Sequence, residues 1–315
     1  MAEPVLLADG VSAPRLVLPG STVLITRRTV RRHHLFAPDD AMRTLFTFAL
    51  AICADKFGIR VHAAVLMSTH EHLVVTDPRG ALPDFLRELH RLVALGTKVL
   101  RRWEGSVWDS QKTSVVRLLS PQAIVEKVAY CMANPVAAGL VRRASDWPGL
   151  TTMPQQLGWA ALSAARPTFF FDPNSPEWPD TVTVALTLPP SLEGQMSAEE
   201  FRRQVVAELT RQEQDARLEV AKSGRAFLGA DRCRRTSPYG RARSFEPMRG
   251  RNPTFAVGRG NREGFFAAVE ELRVFRAAYR EALRLWRLGA RDVVFPGGTW
   301  AMKRVHSAKV AQVAA

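Results

Sequence analysis

Hydrophobic and polar positions in the first half of the chain follow two alternating periods. Short runs rich in β-branched and apolar residues predict strands at 21–26, 59–67, 72–76 and 113–119. Between these runs, apolar residues return every three or four positions, which is typical of amphipathic helices. Start signals predict helices that begin at 38–40, 83 and 120–122, and the stop signals are Gly58 for the first and Asn134-Pro135 for the last.

The order of the predicted elements is strand, helix, strand, strand, helix, strand, helix. The first six elements match the split βαβ unit of ferredoxin-like (RRM-like) domains, in which packing helices cover an antiparallel sheet. The fold class predicted for residues 1–150 is therefore α+β, with one further helix appended.

The composition changes after residue 150. Prolines fall among Gly, Ser and Asn at 151–178, which predicts a linker or irregular connection. Beyond it, the pattern predicts a strand at 181–188 and helices at 199–222 and 265–288. We therefore divide the chain into a first domain at 1–150, the connection at 151–178 and a basic, mixed α/β C-terminal domain at 179–315.

The chain is strongly basic. Its 315 residues include 44 Lys and Arg against 30 Asp and Glu, a net charge of +14. A protein of this charge usually binds a polyanion, most often nucleic acid, although a basic surface can serve solubility alone. Arginines at 225–262 are interleaved with the aromatic residues Phe227, Tyr239, Phe245 and Phe255. This mixture suits single-stranded or hairpin DNA, whose bases can stack, and equally fits a loosely ordered basic loop.

The sequence also limits the cellular compartments and the cofactors that we expect for this protein. Three widely spaced cysteines form neither a disulfide framework nor a zinc motif. Apolar runs stay well below the ~20 residues of a membrane span, and the first residues lack the pattern of a signal peptide. A Gly-x-x-x-x-Gly-Lys loop is absent from the sequence, so no nucleotide cofactor is expected. We expect a cytoplasmic protein with no membrane partner.

A pair of histidines lies at the head of the third predicted strand. His70 and His72 are two residues apart, so on a strand they share one face, while Glu71 points to the other. Two imidazoles side by side supply half of a divalent-metal site. Taken alone, however, this pattern is more often a surface pair or a hydrogen-bonded pair.

The last helix of the first domain carries Tyr130, one of three tyrosines in the chain. Asn134 follows four residues later, so the phenol and the amide share one helix face. The helix could therefore present both groups to the sheet. The alternative is a core tyrosine close to a helix end at Asn-Pro.

Three ordered stretches together carry a family resemblance. They read VHAAVLMSTHEHLVV at 61–75, YCMANPVAAGLV at 130–141 and DWP at 146–148. With these stretches, residues 18–150 resemble the HUH single-tyrosine transposases, and more narrowly the bacterial REP-associated tyrosine transposases. The resemblance does not extend to the C-terminal half.

The resemblance implies a function and a set of site residues. In the family, the two histidines bind a divalent metal and the tyrosine attacks DNA. The corresponding residues here are His70 and His72 for Mg²⁺ or Mn²⁺, with Asn134 as a further ligand, and Tyr130 as the nucleophile. The implied reaction is transposition, in which single-stranded DNA near hairpin-forming repeats is cut and rejoined through a 5′-phosphotyrosine linkage. Glu71 departs from the family, where this position is usually apolar.

Basic residues flank the predicted site. Phosphate contacts are expected from the end of the first strand and of the second helix, namely from Arg27, Arg28, Arg31, Arg32, Lys98, Arg101 and Arg102. The C-terminal domain would recognise DNA or support a homodimer. Relatives include both monomers and dimers.

Two other functions stay open: a non-catalytic, domesticated protein that binds hairpin DNA, and an RNA-binding ferredoxin-like module, which would need aromatic residues on its sheet.

Overall fold

A five-stranded sheet forms the centre of the protein. The computed structural model describes residues 14–111, 113–243 and 253–313. The strands lie in the order β2 (Arg60–Met67), β3 (His70–Asp77), β1 (Ser21–Arg28), β4 (Ser114–Leu118) and β7 (Phe255–Ala256). The first four pair antiparallel, as predicted. The fifth corrects the prediction of a purely antiparallel sheet, because residues 255–256 arrive from the C-terminal half and pair parallel to the open edge of β4.

The helices cover both faces of this sheet. The crossovers β1-α1-β2 and β3-α2-β4 use α1 (Asp40–Phe57) and α2 (Leu82–Arg101), which pack on one face with the apolar side chains of Ile25 and Leu73. α3 (Pro121–Ala137) packs on the opposite face with Leu24 and Val74. Because successive strand residues point to opposite faces, this arrangement gives each face its own apolar core. The α+β class is confirmed.

Local signals explain where the helices begin and end. The Asp39 carboxylate accepts a hydrogen bond from the amide of Met42 at the start of α1. Gly58 ends that helix in the left-handed conformation, with φ of 67°. At the start of α3, the Ser120 hydroxyl accepts a hydrogen bond from the amide of Ala123.

α3 extends three residues beyond its predicted end. The sequence predicts an end at Asn134, but the helix continues through Pro135 to Ala137. Proline lacks the amide that would bond to the carbonyl four residues earlier. The next turn closes regardless, since the amide of Ala138 donates to the carbonyl of Asn134. Asn134 is therefore held in helical geometry, one turn after Tyr130.

A two-stranded hairpin of β5 (Ala161–Ala165) and β6 (Thr181–Ala185) packs on α1. β6 confirms the strand predicted at 181–188. β5 lies inside 151–178, where the sequence predicts a linker or irregular connection. The prediction is corrected for these five residues, which form a strand. The strand escapes the sequence pattern because it is short and alternates only Ala, Leu and Ser. Between the two strands, Phe171 is buried against Phe48 of α1, with ring centroids 4.8 Å apart.

His62 ties the chain after this hairpin to the sheet. Its side chain is buried, with Nδ1 2.8 Å from the carbonyl oxygen of Thr187 and Nε2 2.7 Å from the hydroxyl oxygen of Thr76. A carbonyl only accepts, so Nδ1 carries the proton and Nε2 accepts from the hydroxyl. Burial lowers the pKa of His62 to about 4. The imidazole is therefore neutral in the folded protein at pH 7.

Acidification is expected to destabilise the fold through His62. Between pH 6.5 and 4, the unfolded chain binds a proton at this residue and the folded protein does not, so the free energy of unfolding falls as the pH falls. The loss is about 3 kcal/mol by pH 4. Urea unfolding at a series of pH values measures it, with His62→Gln as the comparison. Equal pH slopes for both proteins in this window would contradict the assignment.

The C-terminal half adds helices that pack on α3 and a separate small apolar cluster. α4 (Ala198–Lys222) lies along α3 and buries Phe201 in the same apolar cluster, and α5 (Ala230–Arg234) follows it. α6 (Arg262–Arg287), β8 (Val294–Phe295), α7 (Ala301–His306) and β9 (Lys309–Val310) then form a smaller cluster around Tyr279 and Phe295. The helices predicted at 199–222 and 265–288 are confirmed. None of the helices in the described residues has the length and apolar character that crossing a bilayer requires.

Candidate active site

β3 places His70 and His72 on the sheet face that α3 covers. Their ring centroids lie 4.7 Å apart, and the ring planes are nearly perpendicular at 88°. A threonine hydroxyl contacts Nδ1 of each ring: Thr69 Oγ1 lies 2.9 Å from His70 Nδ1, and Thr26 Oγ1 lies 2.8 Å from His72 Nδ1. These contacts orient the rings, and Nε2 is the nitrogen that each could offer to a metal ion.

His72 is almost completely buried, with 2% of the residue exposed. Its Nε2 atom has no hydrogen-bond partner among the described residues. Burial lowers the pKa of His72 well below its ordinary value, the positive charge of a protonated His70 acts in the same direction, and the nearby Asn134 amide partly offsets the shift. The ring is therefore neutral at pH 7. A buried nitrogen without a partner costs about 1–3 kcal/mol, and a bound cation would remove that cost.

Asn134 brings an oxygen atom to the histidine pair. Its Oδ1 lies 3.3 Å from Nε2 of His70, and its Nδ2 donates to the carbonyl of Tyr130 at 3.3 Å. The second contact fixes the orientation of the amide. Because the NH₂ group bonds to the helix backbone, the carbonyl oxygen is the atom presented to the histidines.

Tyr130 lies beside the histidine pair, one turn before Asn134 on α3. Its ring centroid is 5.5 Å from that of His72, in an edge-to-face arrangement. The ammonium of Lys127 lies 5.3 Å from the centroid of the phenol ring. The tyrosine remains 40% exposed, so a large substrate can reach it. The structure thus brings together all four residues predicted to form the catalytic site.

The donor set of this site fits a divalent ion. Imidazole nitrogens and an amide oxygen are acceptable ligands for several divalent metals, and the threonine hydroxyls behind the rings stand in the place of the outer hydrogen-bond partners that orient metal-binding histidines. Within the described residues, no three His, Cys, Asp or Glu side chains gather around one point. An ion held here would therefore also use the Asn134 oxygen, water or oxygen atoms of the substrate.

Comparisons with known proteins give structural likeness only. The chain matches no family model, and no curated protein matches it. Among solved structures, it is similar to a REP-associated tyrosine transposase bound to a REP hairpin, at 19% identity and a TM-score of 0.40, over 46% of this chain and 84% of the other. It is also similar to a provisionally assigned transposase from Deinococcus radiodurans, at 20% identity and a TM-score of 0.28, over 35% of this chain and 86% of the other.

Glu71, the departure from the family pattern, is completely buried on the opposite face. Its Oε1 lies 2.5 Å from Nε2 of His90 on α2, and Nδ1 of His90 lies 2.7 Å from the guanidinium of Arg27. Arginine only donates, so Nδ1 accepts and the His90 proton sits on Nε2, where it bonds to Glu71. The His90 imidazole therefore bridges a buried carboxylate and a guanidinium directly behind the strand that carries His70 and His72.

Removing this carboxylate is expected to be destabilising. Glu71→Leu leaves the Nε2–H of His90 without an acceptor, at a cost of about 1–3 kcal/mol in the free energy of unfolding. Glu71→Gln retains an acceptor for His90 and should cost less. Urea unfolding compares the two variants. A Glu71→Leu protein as stable as the wild type would show that the network contributes nothing to the fold.

The structure corrects the prediction of phosphate contacts for two of the arginines. Arg27 lies on the face covered by α2, bonded to His90 and 4.9 Å from the centroid of the Trp108 ring. Arg101 donates to the carbonyls of Leu35 and Ala37, and it forms an ion pair with Asp39. Both guanidinium groups stabilise the fold instead, and sequence could not reveal this because their partners are distant along the chain.

The other predicted phosphate contacts lie at the surface, wholly or partly exposed: Arg28, Arg31, Arg32, Lys98 and Arg102. Of the aromatic residues at 225–262, Phe227 packs with the guanidinium of Arg142, and Phe255 belongs to β7. Phe245 lies outside the described residues. Tyr239 lies next to the basic surface and is taken up below.

Sequence reasoning missed three contributors to the site. Lys127 could have been found, because it precedes Tyr130 by three positions and so shares its helix face. Thr26 could not, since its place depends on the register that sets it opposite His72 in the pair of β1 with β3. Thr69 lies in the turn before His70 and carries no pattern of its own.

Proposed function

We propose that this protein is a metal-dependent tyrosine endonuclease and strand transferase, a transposase that acts on single-stranded DNA through a ferredoxin-like HUH domain. One observation carries the proposal. The buried and partnerless Nε2 of His72 lies in a cluster with His70, Asn134 and Tyr130, although the helix residues are some sixty positions away in sequence. A buried ring nitrogen of a purely structural histidine is normally hydrogen-bonded.

The residues of the site have separate tasks in this proposal. His70, His72 and Asn134 would hold Mg²⁺ or Mn²⁺. When bound, such an ion polarises a phosphoryl oxygen and offsets the charge that develops on the phosphate. Thr26 and Thr69 hold the rings in place through Nδ1. The burial of His72 keeps its ring neutral and therefore able to act as a ligand at neutral pH.

Tyr130 supplies the nucleophile. Its phenolic oxygen attacks the phosphorus of a phosphodiester, its proton passes to water, and the bond from phosphorus to the 3′ oxygen breaks. That oxygen takes up a proton and leaves as a 3′-hydroxyl, while the 5′ phosphate stays on Tyr130. The ammonium of Lys127, 5.3 Å from the centroid of the phenol ring, adds a positive charge beside the attacking residue. Because the phosphotyrosine retains a phosphodiester bond, another 3′-hydroxyl can reverse the step and join two strands.

Single-stranded DNA with a hairpin is the substrate that best fits this site. The net charge of +14 favours a polyanion. Tyr130 lies on the side of a helix and is only part exposed, so the backbone of the substrate must bend closely around it. An unpaired strand does this more readily than a duplex, and a neighbouring hairpin would fix its position.

A cleavage assay tests the proposal. The substrate is a 3′-labelled hairpin oligonucleotide with single-stranded flanks, compared with a matched duplex, in Mg²⁺, Mn²⁺ or EDTA. We expect metal-dependent cutting of an unpaired flank, with the labelled fragment migrating as a protein adduct on a denaturing gel. Binding without cleavage would instead support the non-catalytic DNA-binding protein. Cleavage in EDTA, or cleavage without an adduct, would overturn the mechanism.

A further inference from the structure

Three aromatic rings from distant parts of the chain gather at the surface. The ring centroids of His33 and Trp103 lie 4.9 Å apart with the planes tilted by 59°, and Tyr239 stacks on Trp103 at 6.4 Å with an interplanar angle of 27°. Tyr239 is 57% exposed. One face of its ring is turned to Trp103. We name His33, Trp103 and Tyr239 the aromatic platform.

The platform is a built feature, because several contacts hold the segment around Tyr239 in place. The hydroxyl of Tyr239 donates to the carbonyl of Arg101 at 2.6 Å. The amide of His34 donates to the carbonyl of Gly240 at 2.9 Å, and the amide of Ala242 donates to the carbonyl of Arg32 at 3.1 Å. These bonds fasten a segment of the C-terminal half to the first domain and set the orientation of the Tyr239 ring.

Arginines with a left-handed backbone lie next to the platform residues in sequence. Among the described residues, four besides glycine have positive φ, and three of these are Arg31, Arg32 and Arg102, at 47°, 57° and 48°. A left-handed backbone is unfavourable for a residue with a side chain and is found mainly where function or local packing demands it. Here it occurs next to His33 and Trp103, and the side chains of Arg31, Arg102 and Arg241 are exposed.

The platform lies at the same end of the sheet as the candidate active site. Arg28 at the end of β1 is paired directly opposite His70. The amide of Thr29 then donates to the carbonyl of Thr69, and the amide of Phe36 donates to that of Ser68. His33 follows Arg28 by five residues, so their Cα atoms are at most about 18 Å apart. The platform, next to α2, and the site, next to α3, therefore meet the same end of the sheet from its two faces.

We propose that the aromatic platform binds unpaired bases of the DNA strand, with a base stacked on Tyr239 and neighbouring phosphates bound by Arg31 and Arg102. The inference rests on the proposed function for its choice of ligand, and it gives the C-terminal half a role in holding the strand that Tyr130 cuts. Rings that stack with bases and arginines that track the backbone are the combination by which proteins bind single strands without reading sequence. A duplex, whose bases are already stacked, gains nothing from such rings.

Binding measured without chemistry separates this inference from the cleavage mechanism. Fluorescence anisotropy in EDTA, with Tyr130→Phe as the parent protein, compares a single-stranded oligonucleotide with a duplex of the same sequence. Tyr239→Ala is expected to weaken single-strand binding about tenfold, the size of one lost stacking contact, and to leave duplex binding unchanged. Tyr239→Phe, which keeps the ring, should bind like the parent. Trp159→Ala, which removes a 72% exposed aromatic residue elsewhere, is the matched control.

Salt dependence tests the arginines of the platform. Arg31→Gln and Arg102→Gln should each lower the slope of log affinity against log salt by about 0.7, the value for one phosphate contact with a single strand. Equal single-strand affinity of Tyr239→Ala and the parent, or an equal loss on single strand and duplex, would overturn the inference. If Tyr239→Ala weakens single-strand binding but the wild-type protein forms no DNA adduct, the result supports the aromatic platform and contradicts only the tyrosine mechanism.

Discussion

Replacing Tyr130 by phenylalanine is expected to reduce DNA cleavage by about 10⁴-fold or more and to abolish the covalent adduct. The change removes one oxygen, so the attacking atom is lost while the ring and its packing remain. Loss of an enzyme's nucleophile has effects of this size, because the alternative reaction with water receives only part of the site's stabilisation. Rates of cleavage on the single-stranded flank of a hairpin, measured under single-turnover conditions, give the ratio directly.

A tyrosine far from the site provides the matched control for this experiment. Tyr279→Phe removes a hydroxyl in the small cluster around α6. This variant should cut DNA at close to the wild-type rate. DNA binding by Tyr130→Phe should also be retained, since the ring still packs beside His72. A Tyr130→Phe protein that still forms the adduct would show that another residue attacks the phosphate.

Replacing His72 by glutamine is expected to lower metal-supported cleavage by about 10³-fold, because charge stabilisation by a bound metal is worth several kcal/mol to the transition state. The variant should also lose its response to the ion itself. A ligand that binds only the folded state raises the melting temperature, so Mn²⁺ should raise the Tm of the wild type and have little effect on His72→Gln. This second readout does not depend on DNA.

A buried histidine outside the site is the control for the metal experiment. His62 lies on the neighbouring strand and has both ring nitrogens bonded within the protein. His62→Gln should therefore respond to Mn²⁺ as the wild type does, even though its stability at neutral pH is changed. If Mn²⁺ raised the Tm of His72→Gln as much as that of the wild type, the ion would be bound elsewhere and the proposed site would be wrong.

Periodicity and end signals were sufficient for most of the first domain. Asp39, Gly58 and Ser120 mark helix ends by side-chain or backbone chemistry that acts within one turn, so a local pattern reveals them. The alternation of β3 likewise separates His70 and His72 from Glu71, because the period of a strand is two. These parts of the prediction depend only on residues that are neighbours in sequence.

The parts that sequence did not predict all depend on contacts between distant residues. Glu71 is hydrogen-bonded through Oε1 to His90 on a helix, and the stacking of Tyr239 on Trp103 joins residues from different halves of the chain. Arg27 and Arg101 have the composition of a DNA-binding surface, yet internal partners hold them. No spacing rule connects such pairs, so their roles follow only from the packed structure.

Mapping the DNA adduct onto the chain tests the central claim most directly. Wild-type protein is incubated with the hairpin oligonucleotide and Mg²⁺, the adduct is digested with nuclease and protease, and the peptides are analysed by mass spectrometry. The chain contains three tyrosines, Tyr130, Tyr239 and Tyr279, so the assignment is unambiguous. The account predicts a nucleotide remnant joined by its 5′ phosphate to the peptide that contains Tyr130. A remnant on either other tyrosine, or on a residue of another type, would contradict it.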